Sequence, residues 1–122
     1  MFLLLALSAL AVGSSAVSSP SWPSSYTVAG ELVIPFAEVE EPFMVFTDLS
    51  AGKSRMDFYG GMDKTFQRGD IGSLGTAFKV VPMTDESVAN KMSCFKTDGE
   101  EGAPIEAQSI LPDLEGFQLL GE

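Results

Sequence analysis

From Ser25 onward the chain alternates apolar and polar positions with a period of two, grouped into short runs broken by glycine, proline or aspartate. Alternation of this kind is the mark of strands with one face turned toward a core. Tyr26, Val28, Leu32, Ile34 and Phe36 fall on one face of a first strand, with Gly30 in its middle as a bulge or a point of close approach, and Pro35 marks its end. Ala37 to Pro42 reads as an acidic connector, because Pro42 has no N–H for a ladder and three carboxylates do not share a buried face. Phe43 to Asp48 and Ser54 to Tyr59 are the next two strands, joined through the hairpin loop Leu49–Lys53. In the second of these, Met56 and Phe58 face the core while Arg55, Asp57 and Tyr59 face away.

Gly60 and Gly61 let the chain turn into Met62–Gln67, giving a second hairpin directly after the first. Arg68 to Gly75 is a flexible turn, Thr76 to Pro82 a fifth strand and Met92 to Thr97 a sixth. Between the last two, Thr84 to Asn90 is expected to form one or two helical turns with Thr84 as N-cap and acids in the first turn. Asp98 to Glu122 reads as an acidic, irregular tail with apolar pieces at Ile110-Leu111 and Phe117-Gln118-Leu119-Leu120. The predicted fold is therefore mainly β, an antiparallel sheet with a short helix and an irregular acidic tail.

The N-terminus breaks this pattern. Residues 1–12 are an apolar run followed by Gly13-Ser14-Ser15-Ala16, the layout of a secretory signal peptide cut after Ala16. The run is shorter than the roughly 20 residues a spanning helix needs, so no transmembrane segment is expected. Val17 to Ser25, with two prolines and several serines around Trp22, reads as a linker. The expected organisation is a signal peptide over 1–16, a linker over 17–25 and a β-rich domain over 26–122, with secretion or endosomal and lysosomal delivery as the destination.

Composition narrows the chemistry. The chain carries 17 acidic and 7 basic residues, a net charge of −10, no histidine and one cysteine. Ser-His-Asp and Cys-His catalysis and the usual zinc ligand sets all need residues that this composition lacks. No catalytic residue, cofactor site or metal site is assigned, and an acidic surface argues against nucleic acid as a partner. Arg68-Gly69-Asp70 spells the tripeptide read by adhesion receptors, but glycine and aspartate are also what a plain turn selects. Glycines 69, 72 and 75 do not have the spacing of a dinucleotide fingerprint. The acidic runs 38–41 and 98–101 lack the pattern of an EF-hand. Cys94 is an unpaired thiol in a chain read as secreted, either buried and inert or lacking its partner.

Ordered along the chain, Tyr26-Thr27-Val28, Gly30-Glu31-Leu32, Ile34-Pro35-Phe36-Ala37-Glu38-Val39, Glu41-Pro42-Phe43, Ser54 to Met62 (SRMDFYGGM), Lys64-Thr65 and Gln108 to Asp113 (QSILPD) form a pattern. It resembles the N-terminal, non-catalytic segment of a papain-like cysteine proteinase family, that of the insect haemocyte proteinase named for its two fragments and its counting-factor-associated relatives. The resemblance runs from about residue 25 to 122, and its DFYGGM-type and SILPD-type blocks are the specific ones. It implies a curved half-barrel sheet of the lipoprotein-carrier (LolA-like) type, of which this chain supplies the first part. It also implies a proteinase domain in cis as partner and, for Cys94, a disulfide partner outside the chain. The catalytic Cys-Gly-Ser-Cys-Trp segment and the catalytic histidine of that family have no counterpart in the sequence, so no catalytic role passes to Cys94. On this reading the partner surface is the acidic connector together with Ile110, Leu111, Phe117, Leu119 and Leu120. The alternative is an independent module binding an apolar ligand against Phe43, Val45, Met56, Phe58, Phe66 and Phe78, or binding a protein.

Overall fold

The computed structural model describes residues 20–117. The expected signal peptide and the first three residues of the linker, with Leu119 and Leu120 of the tail, lie outside the described residues. Residues Trp22–Pro112 form one compact unit, and Asp113–Phe117 belong to another. In the second unit, the Glu115 N–H bonds the Asp113 carboxylate at 3.0 Å and the Phe117 N–H bonds the Leu114 carbonyl at 3.1 Å.

The first unit is a single antiparallel sheet of six strands in chain order: β1 (Ser25–Ile34), β2 (Val39–Asp48), β3 (Lys53–Phe58), β4 (Asp63–Arg68), β5 (Thr76–Met83) and β6 (Lys91–Asp98). Each strand pairs with its sequence neighbours, and the sheet does not close on itself. Short connections between antiparallel neighbours make this the simplest route for such a chain. The period-two reading thus yields the six strands and their antiparallel sense.

Three local expectations are corrected. The acidic connector is mostly strand: Val39–Pro42 is the start of β2, with Pro42 opposite Glu31 and Val39 opposite Ile34. Proline is tolerated there because β2 pairs with β3 only from Phe43 onward, leaving Pro42 a neighbour on one side alone. The turn is instead a 3-10 turn, Pro35–Ala37, closed by Glu38 in left-handed conformation at φ 51°, and it leaves Phe36 almost wholly exposed rather than on the strand face. Thr84–Asn90 is not helical. Asp85 accepts bonds from the backbone of Ser87 at 2.8 Å and Val88 at 2.7 Å, while the Asp85 N–H bonds the Val88 carbonyl, which closes a tight loop. Asp85 competes for those backbone groups more effectively than a helix of one turn holds them. The only helical pieces among the described residues are this 3-10 turn and another at Tyr59–Gly61.

Register divides the side chains between two faces. One carries Tyr26, Val28, Val45, Thr47, Met56, Phe58 and Thr65. Here Gly30 pairs with Phe43 without a bulge, and the Phe43 ring lies so close that a Cβ at position 30 would sit 2.5 Å from its tip. The Phe43 ring meets Phe58 edge-on at 6.1 Å, so the glycine makes room for an aromatic pair. Val45 is the one buried apolar side chain among the described residues, at 1% exposure.

After β6 the chain doubles back as a strap across this same face. The Ile105 N–H bonds the Leu74 carbonyl at 2.8 Å, Gln108–Ile110 lie over Met56 and Thr65, and the Tyr26 hydroxyl meets Ser109 Oγ at 3.0 Å and the Ile110 N–H at 3.2 Å. The Trp22 indole N–H closes the strap by bonding the Pro112 carbonyl at 2.8 Å. A lone sheet has no second layer to bury its side chains, and the strap supplies part of one. The opposite face, with Met44, Phe46, Arg55, Phe66, Phe78, Val80 and Cys94, has no such cover among the described residues.

Candidate functional site

In an up-and-down sheet of six strands, the β1–β2, β3–β4 and β5–β6 connections share one end. The three tips are spaced by two strands, about 10 Å. This end differs from the other in two ways. All three non-glycine residues with positive φ among the described residues sit here, one per tip: Glu38 at 51°, Tyr59 at 49° and Asn90 at 55°. The same tips also expose large apolar side chains, Phe36 at 93%, Tyr59 at 61% and Met62 at 57%, with Val88 on the third.

Left-handed backbone costs an ordinary residue about 1–2 kcal/mol, and such strain gathers where a chain presents side chains for recognition. At the second tip the neighbouring residues are Gly60 and Gly61, both at positive φ, so glycine carries the sharpest part of the turn and Tyr59 the remainder.

Between the upper part of β2 and the second tip lies a cleft of about 400 Å³ lined by Ala29, Gly30, Pro42, Phe43, Met44, Asp57, Gly60 and Gly61. It exists because β3 stops pairing at Phe43 while β1 and β2 run on to Ile34 and Val39. The Glu41 carboxylate beside Tyr59, with Asp63 adding to it, holds the Tyr59 phenol above its ordinary pKa. Beside this cleft the second tip therefore combines a neutral phenol with the Glu41 carboxylate.

The far end is built differently. There the turns are tied together: the Gly69 N–H bonds the Gly52 carbonyl at 2.9 Å, the Gly99 N–H bonds Gly75 at 2.9 Å and the Leu49 N–H bonds Ser24 at 2.8 Å. The Arg68-Gly69-Asp70 turn is part of this knot. Arg68 grips Asp70 with two bonds at 2.7 and 2.8 Å, and Lys53 reaches the same carboxylate at 3.6 Å. Bonding to Arg68 pulls the Asp70 pKa down to about 2. The two charged side chains that an adhesion receptor reads are therefore bonded to each other.

The other residues singled out from sequence are scattered. Ile110 and Leu111 belong to the strap, with Leu111 half-buried, and Phe117 stands exposed in the separate unit. Cys94 is exposed as a free thiol on the uncovered face. The six residues named for an apolar ligand do not converge: Phe43, Val45, Met56 and Phe58 lie on the strapped face, while Phe66 and Phe78 lie on the other. Among the described residues no group of three or more His, Cys, Asp or Glu is placed to hold a metal ion, and no helix is long and apolar enough to cross a membrane. The tips were missed in sequence because Phe36 fits the period of β1 and Tyr59 that of β3. The proline before one and the glycines after the other were the available signals.

No family model matches the chain, and no curated protein or solved structure matches it.

Proposed function

We propose that this chain is a non-catalytic accessory module of a secreted or lysosomal papain-like cysteine proteinase, acting by docking on the enzyme unit through the end that carries Phe36, Tyr59 and Met62. The observation that carries the docking reading is the coincidence, on one end of the sheet, of every left-handed non-glycine residue described with Phe36 and Tyr59, the two most exposed aromatic side chains described in the sheet unit. Aromatic residues and methionine are what protein interfaces enrich at their centres. The Glu41 carboxylate sits beside Tyr59 and gives that end a polar margin. The proteinase as partner is supported by the resemblance of the SRMDFYGGM and QSILPD blocks, the first of which forms the second tip itself. Docking there keeps the enzyme latent, stable or correctly located without any catalytic group from this chain.

The test is surface plasmon resonance of the chain against immobilised papain-like catalytic domains. Saturable binding is expected, weakened at least about tenfold by Phe36→Asp or Tyr59→Ala, as for residues central to an interface. Absence of binding at about 100 μM, which corresponds to less than roughly 6 kcal/mol of affinity, overturns the reading.

A further inference from the structure

We infer that the uncovered face of the sheet is the interface of a two-fold dimer, with a second copy of this chain as its occupant. Two cross-strand rows cover the middle of this face. One runs Thr27, Phe46, Arg55, Phe66, Phe78, Lys96 from β1 to β6, and the next runs Ala29, Met44, Asp57, Lys64, Val80, Cys94.

A two-fold axis parallel to the strands, passing between β3 and β4, sets each β3 residue over the partner's β4 and each β2 residue over its β5. The first row then places the Arg55 guanidinium over a third phenyl ring, the Phe66 of the second copy, and Phe46 over Phe78. The second row places Asp57 over Lys64, Lys64 over Asp57, and Met44 over Val80. At the central positions of the two rows a cation meets an aromatic face, apolar meets apolar and charge meets opposite charge, which is what an isologous interface requires of one surface.

Within the chain Arg55 is already held for such a contact. Its guanidinium lies 5.3 Å from the Phe46 ring centroid and 5.5 Å from that of Phe66, and Asp57 grips it with bonds of 2.6 and 2.5 Å. Arginine fixed between rings and facing outward is a preorganised stacking surface.

Charge also favours a second copy on this face. With a net charge of −10, two copies repel over most of their surface. Here, however, three cations are matched by a carboxylate two residues further along the chain: Arg55 by Asp57, Arg68 by Asp70 and Lys96 by Asp98. Lower on the axis Lys53 meets Arg68, and Asp70, which binds both, screens that contact. Six strands at about 4.8 Å spacing and six residues of length give a face of roughly 29 by 20 Å, or about 1,200 Å² for two copies. That reaches the lower end of the range for a specific interface, so dimerisation in the micromolar range is expected. The docking end remains free in such a pair, so each dimer presents two.

The experiment uses two charge variants of the chain, Lys64→Asp and Asp57→Lys, with folding checked by far-UV circular dichroism. Sedimentation equilibrium of the unmodified chain is expected to give a reversible dimer. Each variant alone places like charges across the axis and is expected to raise the dimer dissociation constant at least about tenfold. An equimolar mixture of the two restores opposite charges only between chains, and it is expected to recover a heterodimer within about threefold of the original affinity. Cys94, which the dimer brings over Ala29, provides a second reading without any substitution: its reaction with a disulfide reagent should quicken on dilution through the dissociation constant. A chain that is monomeric up to about 100 μM overturns the proposal. So does a dimer indifferent to the single variants, or a mixture that fails to recover it. Loss of the dimer leaves proteinase binding through the tips untouched, and the resonance assay reads that separately.

Discussion

Replacing Gly99 by alanine tests the strap at its root. Gly99 lies just after β6, and a Cβ there would stand 1.9 Å from the Leu74 carbonyl oxygen, 2.8 Å from its carbon and 3.0 Å from the Ile105 nitrogen. The added methyl thus falls on the 2.8 Å hydrogen bond from Ile105 to Leu74 that starts the strap across the sheet. A carbonyl in a backbone bond cannot rotate aside as a side-chain tip can, so the oxygen must retreat by more than 1 Å and the bond is lost. One hydrogen bond contributes about 1 kcal/mol and the partly buried Ile105 adds about 1–2 kcal/mol. Alanine restricts the unfolded chain and returns about 0.4–1 kcal/mol. The net cost is about 1–2.5 kcal/mol, which in a domain of this size lowers Tm by roughly 5–20 °C.

The matched control is Gly102→Ala, at φ 87° with nothing within 4 Å of the new methyl, where only the left-handed penalty applies. Thermal unfolding by circular dichroism gives the two Tm values. The fluorescence of Trp22, the lone tryptophan, reports whether the far end of the strap has left Pro112. A red-shifted Trp22 emission at 25 °C is expected for Gly99→Ala and not for Gly102→Ala. If Gly99→Ala unfolds within 2 °C of the parent with unchanged emission (a margin of about 0.5 kcal/mol), the strap does not hold as described.

Tyr26 and Tyr59 should titrate in two separate phases when followed by ultraviolet absorbance. Burial raises the Tyr26 phenol, but its bonds to Ser109 and the Ile110 backbone outweigh that and bring its pKa below the ordinary value, whereas Glu41 raises Tyr59. Removal of Tyr59 by Tyr59→Phe must abolish the later phase, and loss of the earlier one instead would refute the assignment. Tyr26→Phe removes both strap bonds at the hydroxyl and should cost about 1 kcal/mol in urea unfolding, with a change of less than about 0.3 kcal/mol arguing against them. The Asp70 carboxyl, depressed to about 2, contributes stability that is present above the unfolded value near 4 and is lost as the pH falls from about 4 through about 2. Carboxyl titration by nuclear magnetic resonance should find that low value in the parent and an ordinary one after Arg68→Gln. With the pair closed, cells should not attach to a surface coated with the chain, and attachment that Asp70→Glu abolishes would show the turn to be open.

What sequence made legible here is what a period of two encodes. Met56 and Phe58 do share the strapped face, and Arg55 and Asp57 do point away from it, because neighbours within one strand alternate without reference to anything distant. Between strands the same argument fails. Whether Phe66 joins Phe58 or opposes it depends on register across a tip, and the 3-10 turn at Tyr59–Gly61 sets Asp63, not Met62, opposite Phe58. Phe66 consequently falls beside Arg55 on the uncovered face. Composition misled at Glu38–Pro42, where carboxylates and a proline suggest a connector. An edge with a partner on one side and solvent on the other accepts both. The strap was illegible because what it rests on includes glycines 69, 75 and 99, whose lack of a side chain makes room for a backbone. From sequence those positions look like turns and nothing more.

Hydrogen–deuterium exchange of the full chain, alone and with a papain-like catalytic domain, tests the docking account most directly. New protection confined to residues 35–41 and 59–62 is the predicted result. No protection at saturating enzyme, or protection confined to the far-end turns at 49–52 and 69–75, would contradict it.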